Sequence, residues 1–314
     1  MNSKTAEREI KIGKHIFPIG NGQIYLMGIL NVTADSFSDG GEYLKPELAL
    51  RHALEMAEEG ADIIDIGAES TRPGYQPISP EEETERLCRV IELVKKETDI
   101  PISVDTYKAR VMDAALTAGA DLANDIWGLR YEEMHPEKTG ENVETMARVI
   151  ARHGCPAVLM HNDLMGRDEE KRTSGMALSS HVSEESMDDP VRRVREGLDR
   201  SLALADAAGI DRSRLILDPG IGFAKSNRES LILLDRLREL KREEECWLLA
   251  ASRKSVIGDA LDLPVEEREE GTLVTTILAM EAGFSFVRVH SIPQNLRAIR
   301  MLQAVRTQSG FHNA

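Results

Sequence analysis

The chain has 314 residues, of which 41% are hydrophobic and 30% charged, with a formal net charge of −15. That balance suits a soluble protein of one large domain or two ordinary ones, and its acidity makes nucleic acid and anionic membranes poor partners. It also means that a pocket for an anionic substrate has to be built from cations placed locally.

In chain order, the polar start MNSKTAEREIKIGK has no apolar core of a signal peptide. Residues 1–19 read as an extension packing on or before the main domain, which spans 20–310 and leaves 311–314 as a tail. From there one pattern recurs eight times: a short apolar run of strand type ends in polar residues, and a stretch of helical period follows. Leu26–Leu30 ends at Asn31 and opens into the polar run VTADSFSDGG, with Phe37 its one bulky residue. Ile63–Ile66 leads into DIGAESTRPG, which carries Thr71 and Arg72. Ile102–Val104 delivers Asp105, and Leu122–Ala123 delivers Asn124 and Asp125. Ala157–Met160 ends in His161, Leu215–Leu217 in DPGIGFAK, Trp247–Ala250 in SRKS and Phe286–Val289 in HS.

The stretches PELALRHALEMAEEG, PEEETERLCRVIELVKKE, KARVMDAALTAGA and EGTLVTTILAMEAG have helical period. Several of the helical stretches open with Pro or a Glu cluster and close on Gly60, Gly119 or Gly283. Alternating strands and helices imply a parallel sheet buried on both faces. Eight units suit a closed (β/α)8 TIM barrel, typically about 250 residues, with an open doubly wound sheet as the alternative. The acidic runs Glu81–Glu85, Glu243–Glu245 and Glu266–Glu270 read as solvated helix faces and ends. The polar stretch from Asn162 to Asp189 is too long for an ordinary connection and reads as a lid or a disordered insertion. No hydrophobic run reaches the roughly 18 residues of a membrane span. Cys88, Cys155 and Cys246 lie far apart with no CxxC spacing, which suits a reducing cytoplasm and argues against zinc.

In a parallel barrel the loops after the strands converge, so the chemistry belongs at the strands' C-terminal ends. The residues delivered there form two groups. Asp105, Asn124, Asp218 and Lys254 can hold a flat, nitrogen-rich heterocycle, because a carboxylate accepts two parallel hydrogen bonds from an amino-pyrimidinone edge. Arg72, Arg288, His290 and Lys254 suit an oxyanion such as a phosphate, with Asn31 able to give an oxygen to Mg²⁺. Blander readings stand beside these. Asp105 and Asp218 can be caps of the following helices, Arg288 and His290 a satisfied pair at a sheet end, and Lys254 merely exposed. DPGIGFAKS fails the phosphate-loop spacing and lacks the third glycine of a dinucleotide fingerprint. His135, His153 and His181 show no metal-ligand spacing.

Taken together, MGILNVTADSFSDGG, DIGAESTRPG, SVDTYKARV, NDIWG, LMH, DPGIGFAK, SRKSVIG and RVH resemble the dihydropteroate synthase family, in its order and at its strand ends. The resemblance covers nearly the whole chain. It implies a (β/α)8 barrel that condenses 6-hydroxymethyl-7,8-dihydropterin diphosphate with 4-aminobenzoate in folate biosynthesis, with Mg²⁺ accompanying the diphosphate, sulfonamides competing for the aminobenzoate site, and a homodimer. Carried over, the pterin falls to Asp105, Asn124, Met160, Asp218 and Lys254, and the diphosphate to Asn31, Arg72, Arg288 and His290. The aminobenzoate falls to Phe37, Thr71, Pro73, Lys254 and Ser255, and Asp39 joins Asp105, Lys254 and Arg288 as a catalytic candidate. Ala34, Ala224 and Ser291 stand where the family usually has Pro, Gly and Asp, and the segment after His161 lacks the usual Met- and Gly-rich continuation. These departures leave room for a non-catalytic pterin-binding paralogue. A pterin-dependent methyltransferase of similar barrel is expected to lack SRKS and the full NVTxDSFSDGG, both of which are present.

Overall fold

The computed structural model describes residues 8–20, 22–32, 46–69, 78–135, 144–163, 188–242 and 244–308. Within them, β3 (Tyr25–Asn31), β4 (Ile63–Gly67), β5 (Ile102–Asp105), β6 (Leu122–Asp125), β7 (Ala157–Met160), β8 (Leu215–Asp218), β9 (Cys246–Leu249) and β10 (Phe286–Val289) form a closed parallel barrel in the order β10-β3-β4-β5-β6-β7-β8-β9. Closure through the β10–β3 pair rules out the open doubly wound sheet. The strands fall where the apolar runs place them, with β3 and β9 each starting one residue earlier, at Tyr25 and Cys246.

The helices between them follow the start and stop signals. Helices α1 (Pro46–Glu58), α2 (Pro80–Glu97), α3 (Ala109–Thr117), α4 (Tyr131–Met134) and α5 (Met146–His153) cover the first half. The second half carries α6 (Pro190–Ala207), α7 (Asn227–Asp235), α8 (Leu237–Leu240), α9 (Ser255–Leu261), α10 (Glu269–Glu281) and α11 (Ile292–Thr307). Helix α2 shows the logic: Ser79 Oγ accepts from the Glu82 N–H, Pro80 opens the first turn, and Lys95 and Lys96 sit in the last, where the helix dipole favours cations. Among the described residues no helix is long and apolar enough to cross a membrane.

Two features depart from the sequence reading. The first is an antiparallel hairpin before the barrel, β1 (Arg8–Ile12) and β2 (His15–Ile19), to which that reading gave no strands. Its alternation is masked by Lys and Glu on the outer face, while Ile10, Ile12, Phe17 and Ile19 pack with Met27, Ile63, Leu122, Val158, Ile216 and Phe286 inside the barrel. The hairpin therefore plugs the end opposite the strands' C-termini. The second concerns the acidic runs, which are not all solvated. Glu83 is buried and accepts from Lys108 Nζ at 2.6 Å, as does Glu69, and Glu245 pairs with Arg195 at 2.7 Å.

Candidate active site

Side chains alternate along a strand, so each barrel strand gives its odd or even set to the interior and the rest to the surrounding helices. On β4, Ile64 and Ile66 face the helices, whereas Ile63 joins the interior cluster. Asp65 shares the face of Ile63, two residues further towards the strand's end. By the same parity Ser103 and Asp105, Asn124, Met160, Asp218 and Arg288 face inward above the apolar plug. Asn31, Gly67, Asp105 and Asn124 fall at one level of the strand register.

The centre of the site is Arg288. Its Nε donates to Asp65 Oδ2 at 2.5 Å and its terminal nitrogen to Asp105 Oδ2 at 2.8 Å. Asp65 is fully buried and also accepts from Ser103 Oγ at 2.6 Å and from Asn124 Nδ2 at 3.2 and 3.3 Å. On the other side of the mouth, Lys254 Nζ donates to the Ile221 carbonyl at 2.5 Å and lies 4.5 Å from the centre of the Phe223 ring. Phe223, Met160, Ile126, Trp127 and Ala224 make a small apolar cluster beside these charges. A slot with acids at one edge and an apolar wall is what a flat, polar-edged ring requires.

Burial shapes the ionisation. It pushes Asp105 up to about 7 against the pull of Arg288, with Asp65 and Glu83 adding to the rise and Lys254 opposing it. Asp218 is raised by burial, opposed by Lys254 and by the Gly220 N–H its carboxylate accepts at 2.8 Å. Lys254 is pushed down to about 7, again by burial first, with Asp218 holding its proton on. Perturbed acids and a perturbed lysine in one cleft are the signature of a chemical site.

The blander readings resolve individually. Asp105 spends its hydrogen bond on Arg288 rather than on a helix end, and α3 has no side-chain cap. Asp218 does close the turn at Gly220, while α7 takes its cap from Ser226 and Glu229. Arg288 and His290 do not pair with each other: His290 Nδ1 lies 2.9 Å from Ser252 Oγ. Lys254 is half-buried rather than exposed. Asp125 faces the opposite way from Asn124 and holds the Trp127 and Leu129 amides. Ser255 opens α9 and donates to Asn227 Oδ1 at 3.2 Å. Phe37, Asp39, Thr71, Arg72, Pro73 and Ala34 lie outside the described residues, as do 164–187 of the long polar stretch.

Three contributors went unnoticed in the sequence. Asp65 is the one with the clearest signal, a charged residue inside the run IIDIG. Lys225 is buried and donates to the carbonyls of His161, Gly220 and Phe223 at 3.1, 2.9 and 3.3 Å, tying the ends of β7 and β8 together. Arg253 has φ +56, the left-handed region, and so aims Lys254. Its N–H donates to Thr272 Oγ1 at 3.1 Å, its Nε to Glu269 at 3.2 Å, and its carbonyl accepts from Arg268 at 3.1 Å. Strain of this kind persists only where the surroundings fix the backbone.

For a metal, the donor set is sparse. Among the described residues no three His, Cys, Asp or Glu side chains cluster as ligands. Asn31 ends β3 on the interior face and offers one amide oxygen. That fits a Mg²⁺ ion carried mainly by phosphate oxygens and water, the usual habit of that ion, and does not fit a metal held by protein alone.

The fold and site thus define a (β/α)8 barrel whose strand ends gather buried carboxylates, an arginine and a lysine beside a small apolar cluster. Residues 27–290 match the family model described as pterin binding enzyme. The dihydropteroate synthase of Clostridium beijerinckii is 42% identical over 94% of this chain and 99% of its own, and that of Bacillus subtilis 43% identical over 92% and 90%. A solved structure of Xanthomonas albilineans dihydropteroate synthase with 4-aminobenzoic acid is 35% identical, with a TM-score of 0.81 over 96% of this chain and 99% of that one. The chain belongs to the pterin-binding enzymes and, within them, to the dihydropteroate synthase family.

Proposed function

We propose that this chain joins 6-hydroxymethyl-7,8-dihydropterin diphosphate to 4-aminobenzoate, releasing pyrophosphate and 7,8-dihydropteroate, and that the residues above divide the work. The observation that carries the reading is Arg288 held between Asp65 and Asp105 at the C-terminal end of the barrel, with Lys254 and Asp218 near enough to interact with its charge. Asp105, Asn124 and Asp218 take the polar edge of the pterin, Lys254 completes that edge, and Met160 packs on the ring. Asn31, Arg72, Arg288 and His290 hold the diphosphate. Phe37, Thr71, Pro73, Lys254 and Ser255 receive the aminobenzoate, with Asp39 beside them.

The bond that breaks joins the pterin's exocyclic carbon to the diphosphate oxygen, and the aminobenzoate nitrogen forms the new one. Negative charge grows on the leaving group, where Arg288 and His290 stabilise it. Positive charge grows on the pterin, beside Asp105 and Asp218. The amine is already nucleophilic, so no activated Ser or Cys is needed. Mg²⁺, with Asn31 as its protein oxygen ligand, would offset charge on the diphosphate.

A homodimer is supported by exposed apolar residues on neighbouring helices: Val274 and Leu278 on α10, Met301 and Val305 on α11, and Leu231 on α7. Such pairs at helical spacing make a patch that a second copy would cover. The site of action is the cytoplasm, where the thiols stay reduced.

The test is purified protein with the pterin diphosphate, 4-aminobenzoate and Mg²⁺, following 7,8-dihydropteroate by mass. Product that disappears with EDTA and with a competing sulfonamide is expected. Pterin binding without product would make the chain a non-catalytic paralogue instead. Sedimentation at micromolar concentration checks the dimer, and a monomer would overturn that part.

A further inference from the structure

Asp65 has no place in the division of roles above. It lies one inward position below the level of Asp105 and is completely buried, so it does not touch a ligand in the slot. Yet it holds two of the residues that would. An ionised carboxylate only accepts hydrogen bonds. The group of Asn124 that faces it is therefore the amide nitrogen, since turning the oxygen inward would set acceptor against acceptor in a site closed to water. By the same rule Ser103 Oγ donates to it at 2.6 Å and Arg288 presents Nε at 2.5 Å.

We propose that Asp65 is the positioning residue that fixes the hydrogen-bonding polarity of the pterin slot. It holds Asn124 with its oxygen towards the slot and Arg288 with its terminal nitrogens towards the mouth. Asn124 then serves the ring's N–H groups as an acceptor, alongside Asp105 and Asp218. A slot walled by three acceptors selects a ring edge rich in N–H donors, such as the 2-amino and neighbouring ring N–H groups of a pterin, over an edge of carbonyls. This rests on the pterin reading of the site.

The first variant is Asp65→Asn, equal in size but able to donate. Once the side chain at this position can donate towards Asn124, the Asn124 amide loses its reason to face one way. Pterin affinity is expected to fall about 10- to 100-fold, the weight of one charge-assisted bond, while the aminobenzoate KM stays within about twofold. Asp105 is faced by Arg288 from β10, Asp65 from β4, Glu83 from α2 and Lys254. Removing Asp65's charge withdraws a neighbour that raises Asp105 and leaves Arg288 to pair with Asp105 alone. The acid limb of pterin binding therefore moves to lower pH.

The second variant is the reciprocal exchange, Asp65→Asn with Asn124→Asp. The amide on β4 then donates to a carboxylate on β6, which still offers only acceptors to the slot. The double variant should recover at least tenfold of the pterin affinity lost by Asn124→Asp alone, a rescue that does not depend on the Asp65→Asn single variant folding. Equal pterin binding and an unmoved acid limb in a folded Asp65→Asn protein would overturn the proposal, as would a double variant no better than Asn124→Asp. Unaltered protein that binds no pterin would instead sink the functional reading, and titration of that protein is run first.

Discussion

Replacing Arg288 with methionine takes the cation from between two carboxylates while keeping much of the side chain's volume. Asp65, fully buried, would keep Ser103 and Asn124 as donors but lose its ion pair at 2.5 Å, and Asp105 would lose one at 2.8 Å. Breaking a buried pair by removing one partner typically costs about 3–5 kcal/mol, because the remaining charge is left uncompensated. The guanidinium keeps some contact with solvent, its side chain being 18% exposed, so the lower end is expected, near 3 kcal/mol. At roughly 2–3 °C per kcal/mol for a large domain, the melting temperature should fall by about 6–9 °C. The pH dependence is the sharper test. Asp105 already stands at about 7 in the folded protein, above the usual carboxylate range, and Arg288 does more than Lys254 to hold it down. A carboxyl raised on folding destabilises the ionised protein; the loss sets in above its unfolded value near 3.8 and is complete above its folded one. Without Arg288 the folded value climbs further. Acidifying the variant from about pH 8 to 5 should therefore close part of the gap to the unaltered protein. The assay is a thermal melt of both across that range, and melting curves that keep a constant separation would refute the argument.

Three other outcomes follow from the same geometry. Ile12→Ala empties a fully buried position in the plug and should cost about 2–5 kcal/mol in denaturant unfolding, with the pterin KM within about twofold because Ile63, Leu122, Ile216 and Phe286 still floor the site. Gly220→Ala should cost more than about 3 kcal/mol or prevent folding, since φ there is +65 and a Cβ would sit 2.0 Å from the His161 carbonyl; soluble expression and a melt decide. Ser252→Ala removes the hydroxyl beside His290 Nδ1, and should raise the pterin-diphosphate KM several-fold while leaving the affinity for the unphosphorylated pterin alone; equal changes in both would count against His290 as a diphosphate ligand.

How much of this could be read from the sequence depended on whether the signal was periodic or spatial. The eight barrel strands announced themselves as apolar runs because both their faces are buried, one by helices and one by the interior. The hairpin did not, because half its residues point to water. Asp105, Asn124, Asp218 and Lys254 could be picked out because they follow the ends of apolar runs, where polarity changes abruptly, and Arg288, inside its run, because it lies two residues before His290 on one strand face. Asp65 sits inside a run and was absorbed into it. Strand parity was the available signal: with Ile64 and Ile66 both facing the helices, the residue between them had to face the interior. Glu83 escaped for a similar reason, since a run of acids says nothing about which one finds a lysine 25 positions away at 2.6 Å. Ala224 looked like a mild departure, yet it takes φ +50 with its methyl buried, so the turn keeps a glycine-like backbone without glycine.

The same parity explains why the site's acids ionise as they do. On β4, β6, β8 and β10, the inward residue two positions before the polar or charged group is part of the plug or rests on it: Ile63 before Asp65, Leu122 before Asn124, Ile216 before Asp218, Phe286 before Arg288. Two residues along a strand rise only about 7 Å. The polar layer therefore lies directly on a dry apolar floor that the N-terminal hairpin seals from below. That floor supplies the burial which lifts Asp105 and Asp218 and lowers Lys254. Charges so placed would be unstable alone, and Arg288 is stable there because Asp65, in the same layer, pairs with it. On a chain carrying fifty-four acids to thirty-nine bases, an anion site cannot arise from the general field; it needs a cation pinned in position by a carboxylate that the ligand never reaches.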